Sequence, residues 1–325
     1  MEKYCIKKLH SGGGVIVTYK CSAACMHCSY ASSPKRRGDF MTKSQADNIF
    51  KILRKMGCYS VHIGGGEPFI NFEKLLDVCI SARKNGVGID YIETNASWVT
   101  NEERTCKFLS QLLDADVSCL LISLDPFHNE FVPYEKIKDL LRYCRKTGMQ
   151  TFVWQSQFER IVSQFDASKT HALSEYKSKY GDNFITAIMN SYGVGINGRA
   201  IKLADMVYEK NPAEYYLQKN NSCNIMSTHH FHVDVYDNFV PPGCIGFQAN
   251  INDLEDLPAD KYANYLSVAE GGLTMLYNRA VSIGFKPKKD GYSHRCALCF
   301  DVKKYILKTE NPADIGPSDF FDEYE

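Results

Sequence analysis

From residue 13 to about residue 200 the sequence alternates short β-branched runs with amphipathic stretches of helical length, and this alternation constrains the fold more than any other feature. GVIVTY, SVHIGG, IDYIETN, CLLISLD and TFVWQSQ read as strands, with FITAIMN or YGVGI as a sixth. SQADNIFKILRKM, FEKLLDVCISARKNG, NEERTCKFLSQLLDA and YEKIKDLLRYCRKTG read as the helices between them, two ending in a glycine stop signal. Successive βα units build a parallel sheet with helices packed on it. Five or six units are too few for a closed eight-stranded barrel, so the expected fold class is α/β, a partial barrel of six units. Beyond about residue 205 the alternation stops. FHVDVYDNFVPPG reads as a β-hairpin, followed by the helices LTMLYNRAVSIG and CFDVKKYILK. The stretch ENPADIGPSDFFDEYE carries six carboxylates and no lysine or arginine, which reads as a solvated acidic tail. The expected division is therefore 1–210 for the barrel, 211–310 for a hairpin-plus-helix module and 311–325 for the tail.

Lysine plus arginine equals aspartate plus glutamate, at 38 each, so the net charge gives no clear nucleic-acid surface and no pull toward anionic membrane. No apolar run reaches the roughly 20 residues that span a bilayer, and MEKYCIKKLH lacks the apolar stretch of a signal peptide. The expected location is cytoplasmic. Thirteen cysteines in a reducing compartment are poor disulfide candidates, whereas clustering at short spacings points to metal or redox chemistry. Seven fit that pattern: Cys21, Cys25, Cys28, Cys223, Cys244, Cys296 and Cys299. The other six, Cys5, Cys58, Cys79, Cys106, Cys119 and Cys144, fall mostly within apolar patterns and read as small core residues.

CSAACMHC, at residues 21–28, supplies three thiolates just after the first strand. A structural zinc site closes its tetrahedron with four protein ligands. His27 is the nearest fourth donor, but adjacent residues rarely reach the same small sphere, and Cys28 is already a ligand candidate. Three cysteines on a four-iron cluster leave one iron open to an outside ligand. The Cys-x3-Cys-x2-Cys spacing in this loop resembles the hallmark of the radical S-adenosylmethionine (SAM) enzymes. HIGGGEPFI strengthens the resemblance, because Gly65, Gly66, Glu67 and Pro68 match the family's Gly-Gly-Glu-Pro element at the end of the second strand. Read from the residues alone, these glycines permit close backbone approach and Glu67 offers an acceptor to an ammonium; a tight βα turn also explains the glycines.

The resemblance implies a partial (βα)6 TIM-like barrel, a SAM-binding 4Fe-4S cluster on Cys21, Cys25 and Cys28, and reductive cleavage of SAM to a 5′-deoxyadenosyl radical. It implies that Gly65, Gly66, Glu67 and Pro68 hold the SAM methionine, and that Glu93, Thr94, Asn95, Ser123 and Asp125 contact its ribose or methionine part. Gln155 faces the same cavity if the strand register holds, and Arg199, in GVGINGRA, resembles a late-barrel contact to SAM. The literal G-x-G-x-x-G in that segment lies too late in the βα series for a dinucleotide site. His128 caps the next helix or serves the substrate, and THHFHVDV reads as a polar hairpin rather than a metal site. No residue is assigned as catalytic acid or base.

Cys223, Cys244, Cys296 and Cys299 surround the hairpin VYDNFVPPGC and resemble the twitch modules of the SPASM branch, which hold an auxiliary iron-sulfur cluster. Asp237 and Asn238 stand where that family's turn has glycine, and four thiolates also suit a zinc site. The branch implies a flavodoxin or ferredoxin reductant, oxygen sensitivity and a peptide or protein substrate. The alternatives are a small-molecule or cofactor-precursor substrate, or a non-catalytic iron-sulfur or zinc protein.

Overall fold

The computed structural model describes residues 4–219 and 223–322. Its strands are β1 (Gly13–Thr18), β2 (Ser60–Gly65), β3 (Gly88–Thr94), β4 (Cys119–Ser123), β5 (Gln150–Trp154), β6 (His232–Asp234), β7 (Asn238–Val240) and β8 (Ala249–Asn250). They form one sheet in the order β5-β4-β3-β2-β1-β6-β7-β8. Strands β1 to β5 pair in parallel; Val15 of β1 lies between Ile63 of β2 and Val233 of β6. The hairpin then continues antiparallel through β7 and β8.

The crossovers are α1 (Lys43–Lys55), α2 (Phe72–Lys84), α3 (Glu102–Asp114), and the pair α4 (Pro126–Asn129) and α5 (Tyr134–Thr147). Helix α1 shows why they form. Thr42 accepts from Gln45 N while the Gln45 side chain accepts from Thr42 N, and Ala46, Ile49, Phe50 and Leu53 bury one stripe against the sheet. Gly148, at φ 83°, ends α5 as its sequence position predicts.

After β5 the chain turns helical: α6 (Glu159–Val162), α7 (Leu173–Tyr180), α8 (Phe184–Tyr192), α9 (Ala200–Val207) and α10 (Ala213–Leu217). The stretch expected as a sixth strand, FITAIMN, is part of α8. Its Phe184, Ile185, Ile188 and Met189 bury one helical face, a period that outweighs their β-branched character, and Gly193 caps the end at φ 70°. YGVGI is irregular. The sixth parallel strand is β6, beside β1 at the other end of the parallel set. Helices α7 to α9 instead contribute Tyr176, Phe184, Ile185, Ile188, Met189 and Leu203 to an apolar cluster packed under Cys21 and Cys25.

Three further helices follow: α11 (Ala263–Ser282), α12 (Arg295–Glu310) and α13 (Ser318–Asp322). Cys296 and Cys299 therefore lie within the first turns of α12 rather than before it. The segment read as a solvated tail is packed as far as residue 322. Phe320 and Phe321 are buried, and Asp314 is fully buried, accepting from Asn264 N at 2.7 Å, Tyr265 N at 2.8 Å and Asn264 Nδ2 at 2.9 Å. Counting carboxylates missed the two phenylalanines between them. In the hairpin turn, Asp237 takes the left-handed conformation (φ 61°), which aspartate tolerates, while Asp234 accepts from Tyr236 N and Asn238 N.

Candidate functional site

The loop after β1 folds back on itself. Cys21 N donates to Ser33 O at 3.1 Å, Cys28 N to Cys25 O at 3.1 Å, and Ala31 N to Cys28 O at 3.2 Å. The curl aims Cys21, Cys25 and Cys28 into one cavity of about 330 Å³ at the carboxyl ends of the strands. Cys21 and Cys25 are buried and Cys28 is partly exposed.

The end of β2 is laced to this loop: Gly66 N donates to Thr18 O at 2.8 Å and Glu67 N to Lys20 O at 3.0 Å. A Cβ on Gly66 would lie 2.0 Å from Lys20 O, and one on Gly65, at φ 124°, 2.5 Å from Thr18 O. These glycines therefore serve the approach of one backbone to another while also lining the cavity. The Glu67 carboxylate does not line it. Fully buried, it accepts from Phe69 N at 3.2 Å, Thr94 Oγ1 at 3.0 Å and Asn95 N at 2.8 Å, joining the ends of β2 and β3. Burial, only partly offset by those donors, raises it to about 7. Pro68 opens a 3-10 turn over Pro68–Asn71 behind the wall.

Thr94, Asn95 and Ser123 line the cavity. Asn95 Nδ2 donates to Cys21 Sγ at 3.4 Å, so the β3 end touches the cysteine loop directly. Asp125 lies behind the wall, caps α4, and accepts from His128 N at 3.0 Å and His128 Nδ1 at 2.6 Å. Burial alone would raise its carboxyl, but His128, His27 and these bonds hold it down at about 2. Ligand-type atoms of His27, Asp125 and His128 lie within 4.8 Å of one another, a grouping that their sequence spacing does not signal. His27 stacks on Phe127 at 4.6 Å, and burial drops it to about 4.

Two further expected contacts are placed differently. Gln155, at φ 59°, donates to Tyr192 O at 3.1 Å and accepts from Gln157, so its neighbour Trp154 lines the cavity instead. Arg199 buttresses the cysteine loop from outside: Nε donates to Cys25 O at 3.1 Å, its guanidinium also reaches Ser32 O, and its backbone N donates to Cys28 O at 3.2 Å. At Gly198 a Cβ would lie 2.5 Å from Ser29 O, so only glycine admits this approach. Tyr91, Tyr192 and His230 also line the cavity. Tyr91 was legible as the residue two before Glu93 on an alternating strand; Tyr192 arrives from the last residue of α8 and His230 from an irregular segment, with no comparable signal.

The donor set suits an iron-sulfur cluster. Burial pushes Cys21 up to about 12 and raises Cys25 well above its ordinary value, so both thiols need a cationic centre to ionise near neutral pH. At the far side, Cys223, Cys244, Cys296 and Cys299 converge on a second cavity of about 100 Å³. His294 caps α12 by accepting from Cys296 N at 3.1 Å, which sets Cys296 and Cys299 one turn apart on one face. Burial raises Cys244 and Cys299, and the buried ammonium of Lys303 opposes it at both.

An α/β half-barrel with three cysteines at its mouth defines a cluster-binding class of protein, and the comparisons specify which. Residues 15–155 match the Radical SAM superfamily. This segment is a radical SAM domain. YydG of Bacillus subtilis (strain 168), named for peptide biosynthesis, is 24% identical over 39% of this chain and 40% of its own length. The mycofactocin maturase MftC of Mycobacterium tuberculosis (strain CDC 1551 / Oshkosh) is 33% identical over 31% of this chain and 25% of its own. The matches thus span less than half of either relative. The solved structure of anSMEcpe with bound AdoMet aligns with a TM-score of 0.43 at 17% identity, covering 76% of this chain and 79% of that one.

Proposed function

We propose that the chain is a radical SAM enzyme that modifies a peptide or protein. The observation that carries this reading is the convergence of three thiols, from one loop, on a cavity whose wall, among the described residues, supplies no fourth sulfur. Cys21, Cys25 and Cys28 would hold the cluster, and Gly65, Gly66, Thr94, Asn95 and Ser123 offer the surface for SAM. Glu67, Asp125 and Arg199 keep that surface in shape. A 4Fe-4S cluster with SAM bound there would supply reductive cleavage of SAM to methionine and a 5′-deoxyadenosyl radical. The name of YydG supports a peptide substrate. The cavity, about 330 Å³, lies near the low end of the roughly 300–1,000 Å³ of small-molecule sites and favours a small molecule as the second reading.

In the C-terminal part we propose an auxiliary 4Fe-4S cluster on Cys223, Cys244, Cys296 and Cys299, in a twitch-like module. Four thiolates also suit zinc, and iron and zinc analysis decides between the two. The reductant is a flavodoxin or ferredoxin and the setting cytoplasmic; among the described residues no helix is long and apolar enough to cross a membrane. The deciding experiment reduces the anaerobically reconstituted protein with SAM. Release of 5′-deoxyadenosine is expected, and its absence in protein of full iron content would leave a non-catalytic iron-sulfur protein.

A further inference from the structure

A buried ammonium stands in the wall of the second cavity. Lys303, inside α12, is only 3% exposed and lines that cavity together with Cys223, Cys244, Cys296 and Cys299. Cys296, Cys299 and Lys303 follow at steps of three and four residues, so they share one face of the helix, and a helical side chain leans toward the N-terminus, back over the cysteines. Lys303 Nζ donates to Ile245 O and lies 4.8 Å from the centre of the Phe247 ring. Room for it is made by glycine. At Gly246, φ 93°, a Cβ would lie 3.0 Å from Nζ.

A carbonyl and a ring face return no full negative charge, and among the described residues no carboxylate lines this cavity. An ammonium taken from water without an anion is costly, and an anionic group placed beside it removes that cost. The groups beside it are thiols. The Lys303 charge opposes, at Cys244, Cys296 and Cys299, the rise that burial imposes, and the partly exposed Arg295 adds a second cation at Cys244 and Cys296. A four-iron cluster on four thiolates is anionic and becomes more so on reduction, so a fixed cation beside it favours the reduced form. Burial of Lys303 keeps that effect from being screened as a surface charge would be.

We propose that Lys303 is the charge partner of the metal centre on Cys223, Cys244, Cys296 and Cys299, and that it raises the reduction potential of that centre. This rests on the auxiliary-cluster reading of the set. The test uses the full chain, anaerobically reconstituted, in a redox titration followed by electron paramagnetic resonance, with the Cys21, Cys25 and Cys28 triple alanine variant identifying the second cluster's signal. In Lys303→Met the potential falls far enough to change the ratio of oxidised to reduced cluster about tenfold or more, which is about 59 mV for one electron. Lys303→Gln, which keeps a donor and loses the charge, falls in the same direction and carries the test where the methionine variant loses iron. Lys303→Arg keeps the charge and stays above both. A lysine that only staples α12 to the Ile245 carbonyl would lower the melting temperature and leave the potential where it was. An unchanged potential in a charge-removing variant of wild-type iron content therefore overturns the proposal, whatever its melting temperature. Zinc at the second set of the wild type also overturns it, but as a failure of the auxiliary-cluster reading, which metal analysis shows before any lysine variant is made.

Discussion

The two cysteine sets differ in how they are assembled. Cys21, Cys25 and Cys28 come from one loop of eight residues, whose carbonyls are held in place by Arg199. Cys223, Cys244, Cys296 and Cys299 come from three segments brought together by the hairpin and α12. The surroundings differ as well. The first set borders Asn95, with Glu67 adding to the rise at Cys21 and Arg199 opposing it from behind the loop, while Lys303 acts against burial at the second. On the proposed reading, a local loop with a missing ligand would present an open coordination position, whereas a dispersed, complete set would tie the fold to a metal.

The sharpest way to break this contrast is to replace Cys21, Cys25 and Cys28 together with alanine. SAM cleavage should vanish while about four irons remain on the second set, of about eight in the wild type. Continued release of 5′-deoxyadenosine would refute the assignment. Next in size, Cys296→Ala with Cys299→Ala should halve the iron and also lower the melting temperature, because α12 loses its tether to the Cys244 turn. Iron analysis giving about four irons and one zinc in the wild type would make the second set purely structural.

Glu67→Gln sharpens the comparison at the first site. An amide would turn its NH2 toward one of three donors, so thermal unfolding should show a loss of about 1–3 kcal/mol. A normal melting temperature with weakened SAM binding would return Glu67 to the ligand. The smallest effect at neutral pH is expected for His62→Gln. Burial holds His62 at about 4 against 6.5 when unfolded, so the folded state refuses a proton that the unfolded chain accepts. That contribution is full above about 6.5 and is lost as pH falls toward 4. The variant should flatten the stability slope in that window by about one proton, and an unchanged slope would show His62 to be protonated in the fold.

Much of the molecule was legible because its signals are local. The first five strands and four of their helices follow from periodicity and caps, and the cysteine loop from spacing alone. The side chains of Glu67 and Arg199 were legible in position but not in orientation: whether a carboxylate faces a cavity or a neighbouring backbone depends on Thr94 and Asn95, 27 and 28 residues away. The same non-local pairing placed β6 beside β1 and made α8 a helix, since the apolar cluster under the cysteines rewards a helical face there.

Arg36, just past the cysteine loop, is buried; Nη1 donates to Tyr30 O at 2.8 Å, and Nε and Nη2 clasp the Asp319 carboxylate at 2.8 and 3.1 Å. The partners are 283 residues apart. During synthesis the loop therefore leaves the ribosome long before its clasp exists, and its three thiols wait in a segment that has not yet been locked. A change at Asp319, near the far end of the described chain, therefore acts on the segment that follows the first cysteines.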